Sequence, residues 1–91
     1  MTKTIFITGA STGMGRDMAE RFSREGWNVA ATMRKPERDG ADLAALSGVK
    51  TYALDVTDAA SIQSAVKAAE DDFGRLDVVV NNAGVGLVGP M

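Results

Sequence analysis

Six residues with a strand's composition, Lys3-Thr4-Ile5-Phe6-Ile7-Thr8, run straight into Gly9-Ala10-Ser11-Thr12-Gly13-Met14-Gly15, and a helical pattern follows at once. Glycines at 9, 13 and 15 between a buried strand and a helix leave few folds open. Glycine permits the positive φ that a tight turn needs, and it lets main chain lie directly against a ligand. The helix start beyond it presents unpaired N–H groups and the positive end of a dipole, which together suit a phosphate or pyrophosphate. The first expectation is a nucleotide-binding turn.

The rest of the chain repeats the alternation. Residues 3–8 form a first strand in which Ile5 and Ile7 alternate with Thr4 and Phe6, apolar on both faces as in a parallel sheet. Residues 14–25 form a helix whose stripe is Met14, Met18, Ala19 and Phe22, with Gly26 stopping it. Trp27–Met33 is a second strand, 34–40 a polar loop broken by Pro36, and Asp42–Leu46 a short helix with Leu43 and Leu46 inward. Lys50–Leu54 is a third strand. Thr57 or Asp58 caps a helix over 58–73 whose face is Ile62, Val66, Ala69 and Phe73, and Gly74 closes it. Leu76–Val80 is a fourth strand, Asn81–Gly84 a turn, and 85–91 a loop. The sum, β-α-β-α-β-α-β, predicts an α/β fold, a partial Rossmann domain with a doubly wound parallel sheet in the order 3-2-1-4. A ligand then belongs where the order reverses, outside the carboxyl ends of the strands.

Composition removes several alternatives. Ninety-one residues make one small domain, 45% of them apolar, which argues against disorder. A net charge of −2 does not suit a nucleic-acid binder with a generally basic surface. No cysteine or histidine is present, so soft-metal sites, disulfides and histidine-based catalysis are absent, and no metal site is expected. No apolar stretch approaches the roughly 20 residues of a membrane span, and no leader pattern opens the chain. The expectation is a cytoplasmic protein without a membrane or nucleic-acid partner.

Spacing sharpens the glycine signal. Gly13 is followed by Met14 and Gly15, so the Gly-Lys-Ser/Thr of a P-loop is not there, and the common G-x-G-x-x-G fingerprint fits poorly. What stands is Thr8-Gly9-x-x-x-Gly13-x-Gly15, with Asp55-Val56 after the third strand and Asn81-Asn82-Ala83-Gly84 after the fourth. The chain thereby resembles the short-chain dehydrogenase/reductase family, whose TGxxxGxG and NNAG motifs stand in order over residues 8–84. The resemblance implies that Gly9, Gly13 and Gly15 serve the turn, the pyrophosphate approach and close helix packing. It gives Ser11, Thr12 and Met14 backbone or hydroxyl contacts to the cofactor. Asp55 would accept from the adenine amino group beside the Val56 backbone; its plainer reading is a carboxylate that ties a turn before a helix. Asn82, Ala83 and Gly84 would line the ribose and nicotinamide side, and Asn81 would bridge backbone between neighbouring strands.

The cofactor's 2′ position follows from charge. A site preferring NAD ends its second strand with an acidic residue that holds the ribose 2′-OH and repels a phosphate. Here that strand ends Ala31-Thr32-Met33-Arg34-Lys35. Met33 takes the acidic position, Arg34 can grip a phosphate through two parallel donors, and Lys35 adds charge. NADP(H) is the expected cofactor, with NAD as the alternative; the plainer reading makes both cations solvated loop charges. Met33 also argues against a methyltransferase, which needs an acid there.

The family's catalytic serine, Tyr-x-x-x-Lys pair and helix asparagine lie beyond the NNAG turn, and only residues 85–91 follow Gly84. Tyr52 precedes Ala53-Leu54-Asp55 and cannot be that tyrosine. No catalytic residue is therefore assigned. The expectation is the N-terminal, cofactor-binding half of an oxidoreductase that moves hydride between NADP(H) and a carbonyl/alcohol pair, inactive by itself and forming a homo-oligomer when whole. The runner-up is a non-catalytic nucleotide-binding half-domain that self-associates through its Val78–Val80 edge. Trp27, Arg16, Lys67, Glu70 and Arg75 carry only structural or solvated readings.

Overall fold

The computed structural model describes residues 2–11 and 13–82. Its elements are β1 (Thr4–Ile7), α1 (Gly13–Arg24), β2 (Asn28–Met33), α2 (Pro36–Asp39), α3 (Ala41–Ala44), β3 (Val49–Ala53), α4 (Ala59–Phe73) and β4 (Val78–Val80). The strands form one sheet in the order β3-β2-β1-β4, every neighbouring pair parallel. In register, Ile7 lies opposite Ala31 on one side and Val80 on the other. The order and the reversal between β1 and β4 are those expected from the alternation of patterns.

Strand periodicity splits the core in two. Ile5 and Ile7 of β1 and Val29, Ala31 and Met33 of β2 face one side, where they meet Ala19 of α1 and Leu43 of α3. Phe6 and Ala30 face the other side and meet Leu54 with Ala65 and Ala69 of α4. Phe6, Ile5 and Ile7 are fully buried, and each contributes about 1.5–3 kcal/mol of apolar transfer free energy. Trp27 sits at the start of β2 with its ring edge-on to Phe22, centroids 4.8 Å apart.

Three expectations change. Residues 34–40 are not all loop: Pro36 opens α2, where its missing N–H costs nothing, and the Lys35 carbonyl accepts from the amides of Arg38 and Asp39. The inward face of α1 is Gly15, Met18, Ala19 and Phe22, whereas Met14 is 66% exposed. The short third helix ends at Ala44, and Leu46 lies beyond it at the surface, 36% exposed, instead of facing inward. Val78 and Val79 of β4, the outer strand beside β1, are each 39% exposed, as an open sheet edge would be. At the start of α4, Asp58 is the cap, its carboxylate accepting from the amides of Ala60 and Ser61.

Arg16 is no solvated charge. Its guanidinium pairs with Asp42, tying α1 to α3, and with Glu20 one turn on at 3.5 Å. Lys67 and Arg75 pair with Asp71 and Asp77 at the surface. Among the described residues, no helix is long and apolar enough to cross a membrane.

Candidate functional site

The carboxyl ends of β1, β2 and β3 open into one cleft of about 760 Å³. The glycine turn contributes Gly9 and Ser11, the end of β2 contributes Met33, Arg34 and Lys35, and the segment after β3 contributes Asp55 and Val56. Asn82, just past β4, closes the fourth side. Of the residues singled out from the sequence, Gly9, Ser11, Arg34, Lys35, Asp55, Val56 and Asn82 thus come together in one place. Thr12, Ala83 and Gly84 lie outside the described residues.

The turn is held by main chain and by buried hydroxyls. Gly9 and Gly13 have φ of 65° and 61°, the left-handed region in which a side chain would be strained. The Ala10 amide donates to the Thr32 carbonyl at 2.9 Å, and the Thr32 hydroxyl donates to the Ile7 carbonyl at 2.9 Å. One fully buried threonine therefore ties the end of β2 to both sides of the β1 exit. On the opposite side the Thr8 hydroxyl accepts from the Asn82 amide at 2.8 Å. The same hydroxyl lies 3.2 Å from Asn81 Oδ1 and 3.4 Å from the Val80 carbonyl, one proton shared between two acceptors. Asn81 thus bridges to a side chain of β1's exit, not to backbone as expected. Asn82 donates from Nδ2 to the Gly9 carbonyl at 3.3 Å, so it braces the turn from the β4 side.

Gly15 does not line the cleft. A Cβ there would stand 2.3 Å from the Gly9 carbonyl oxygen and 2.7 Å from Asn82 Nδ2, so its lack of a side chain lets α1 seat against the turn. Gly13 opens α1 with open space around it. Met14, expected to give the cofactor a backbone contact, borders a separate shallow groove along the outside of α1 with Asp17 and Arg21.

The far rim is charged and exposed. Arg34 Nη2 lies 3.8 Å from Asp55 Oδ2, with the two side chains 74% and 41% exposed. Asp55 Oδ1 accepts from the Thr57 amide at 3.0 Å and from its hydroxyl at 2.7 Å, while the Asp55 amide donates to Ser61 Oγ at 2.9 Å. The turn-tying reading of Asp55 is therefore present, and one carboxylate oxygen still faces Arg34 at the cleft. These Thr57 bonds, and after them the Arg34 charge, hold the Asp55 carboxyl below its ordinary value.

Sequence reasoning missed Arg38, Asp39, Leu54 and Thr57 as lining residues. Thr57 carried a signal in the Asp-x-Thr spacing, where a carboxylate reaches the residue two positions on. Arg38 and Asp39 could have been found by reading Pro36 as a helix opener. Tyr52 of β3, packed on the α4 side of the sheet, donates to Asp72 at 2.6 Å, and burial first and Asp72 second raise its pKa, so it is held protonated. Among the described residues no group of three or more acidic side chains could hold a metal.

Comparison with known proteins accords with this geometry. The family model for short chain dehydrogenase matches residues 3–91. Serine 3-dehydrogenase of Rhizobium radiobacter is 43% identical over 88 residues, covering 96% of this chain and 35% of that protein. The chain thus spans about a third of the length of such relatives. Among solved structures, ElxO with NADP bound superposes with a TM-score of 0.80 at 34% identity, covering 98% of this chain and 38% of that one. A 3-ketoacyl-(acyl-carrier-protein) reductase from Brucella melitensis, complexed with NADH, gives a TM-score of 0.80 at 37% identity, with 92% and 35% covered. Fold, glycine turn and family match agree, and the chain belongs to the short-chain dehydrogenase family.

Proposed function

We propose that the cleft is the adenosine end of a nicotinamide dinucleotide site that selects NADP(H), in an oxidoreductase that interconverts a carbonyl and an alcohol. The observation that carries this reading is the convergence of Gly9 and Ser11, Arg34 and Lys35, and Asp55 and Val56 on one cleft at the strand ends. The donor set fits the cofactor. A left-handed glycine turn at the head of α1 suits a pyrophosphate, and an exposed guanidinium with a neighbouring ammonium suits a 2′-phosphate. Met33 supports the same choice, because its buried thioether stands where an acid would repel that phosphate.

When bound, the nicotinamide ring supplies the hydride chemistry. The residues of this chain bind and orient. The turn from Gly9 to the head of α1 at Gly13 receives the pyrophosphate, and Arg34 with Lys35 the 2′-phosphate. Asp55 accepts from the adenine amino group through the carboxylate oxygen that Thr57 leaves available, beside the Val56 backbone. Asn82, Ala83 and Gly84 extend the site toward the nicotinamide, as the family pattern implies. Proton transfer to the substrate oxygen is not the work of residues 1–91, which hold no histidine or cysteine and whose single tyrosine is bonded to Asp72 of α4. The 91-residue chain therefore binds cofactor without turning it over.

The test is Arg34→Asp. NADPH affinity should fall by about tenfold or more, the scale of a lost charge-assisted hydrogen-bond pair, with NADH changed much less. Equal losses for both would refute the phosphate grip. Steady oxidation of NADPH by the purified 91-residue chain with a panel of ketones would refute the division of labour.

A further inference from the structure

The helix α2 brings a third cation to the rim. Arg38 lines the same cleft as Arg34 and Lys35, and so does its neighbour Asp39. The two side chains form a fork: Arg38 Nε stands 3.0 Å from Asp39 Oδ1 and Nη2 stands 3.1 Å from Oδ2. These are the two parallel donors with which a guanidinium takes a pair of phosphate oxygens. In the fork they are occupied by a carboxylate from the adjacent residue. Neither side chain is needed to hold α2, since both project to solvent, 67% and 36% exposed, and the helix is closed by main-chain bonds from Arg38, Asp39 and Gly40. An exposed pair of this kind stabilises the fold very little and is cheap to open.

We infer that Arg38 is a specificity-determining residue for the cofactor's 2′-phosphate and that Asp39 is a competing carboxylate which holds its fork until that phosphate arrives. The inference rests on the NADP(H) reading of the cleft. A phosphate monoester carries up to two negative charges against the single charge of Asp39, so the guanidinium gains by exchanging partners. A 2′-hydroxyl carries none, and the Arg38–Asp39 pair then stays closed. Asp39 thus reduces the affinity for NADPH in order to keep the rim neutralised without it. The Arg38 fork first, and the Lys35 charge last, hold the Asp39 carboxyl below its ordinary value. Arg34 has its own carboxylate, Asp55, at a longer 3.8 Å, so the two arginines of the rim are both engaged, the nearer pair more tightly.

The test is a double-mutant cycle read by equilibrium binding of NADPH and NADH to the wild-type protein, Asp39→Asn, Arg38→Ala and the double variant. Asp39→Asn should tighten NADPH by about two- to fivefold, the range of an exposed ion pair, and leave NADH unchanged. Arg38→Ala should weaken NADPH by about tenfold and NADH by less than about twofold. In the Arg38→Ala background the gain from Asp39→Asn should vanish. Persistence of that gain would make Asp39 a simple repelling charge and overturn the exchange. Equal effects of Arg38→Ala on the two cofactors would overturn its role in specificity. Arg34→Asp separates this from the reading beneath it: discrimination lost at Arg34 but untouched at Arg38 sinks only the exchange, whereas no discrimination at either position sinks the NADP(H) assignment. Matching thermal unfolding of all four proteins shows that binding, not folding, is being compared.

Discussion

The two ends of the cleft are built by opposite means. The glycine turn is set by main chain and by hydroxyls that are buried or nearly so: Thr32 is fully buried, Thr8 is 8% exposed, and their bonds run to the backbone of β1 and to the Asn82 amide. The rim across from it is set by charged side chains in solvent, Arg34 on Asp55 and Arg38 on Asp39. Breaking a bond at the turn strands a polar group inside the protein. Breaking one at the rim releases two charges to water, where each is well solvated. The turn is therefore a fixed feature of the fold, and the rim a set of partners that a ligand can exchange. On the proposed reading of the cleft, affinity common to all dinucleotides belongs to the turn, and discrimination between them belongs to the rim.

Three experiments strain that contrast, beginning where the effect is largest. Gly15→Ala places a Cβ 2.3 Å from the Gly9 carbonyl oxygen, a backbone atom that cannot swing aside. It should destabilise the protein by about 1–3 kcal/mol in denaturant unfolding and weaken NADPH and NADH equally. A loss confined to NADPH would mean the turn also discriminates. Thr32→Val keeps the volume but removes the hydroxyl bonded to the Ile7 carbonyl. It should cost about 1–2 kcal/mol, again with no change in the preference for one cofactor. Full stability in this variant would show that the buried hydroxyl does not hold the turn.

The smallest effect concerns the rim. Asp55 titrates below its ordinary value of 3.8, mainly through Thr57 and less through Arg34. A carboxyl depressed in the folded state stabilises above its unfolded pKa, and that contribution is lost as pH falls through the folded value. Carboxyl NMR titration should show Thr57→Ala moving Asp55 upward more than Arg34→Ala does. The reverse order would mean that the ion pair, not the Asp-x-Thr turn, positions this carboxylate.

Much of the architecture could be read before the fold was seen, and the reasons are local. Ile5, Phe6 and Ile7 announce a strand buried on both faces, and Phe6 does pack on the α4 side while the isoleucines pack on the α1 side. The glycine spacing located the cleft. The misreadings arose where side chains carry no apolar signal or the wrong one. Gly15, where α1 seats closely against the turn, has no side chain to mark it, so the apolar pattern points one residue early, to Met14. Pro36 reads as a breaker inside a polar run, yet at the first position of α2 its fixed φ is suited to a helix. That misreading hid Arg38 and Asp39 from the site. The hydroxyls of Thr8 and Thr32 were equally silent, because a threonine in a strand looks the same whether it tops a sheet or ties a turn.

The contrast is tested most directly by amide chemical-shift mapping of the protein titrated separately with NADPH and NADH. Both ligands should move the amides of Gly9, Ser11 and Gly13 by similar amounts. Only NADPH should move those of Arg34, Lys35 and Arg38. Identical shift patterns at the rim, or turn amides that respond to one cofactor alone, would contradict the assignment of affinity to the turn and discrimination to the rim.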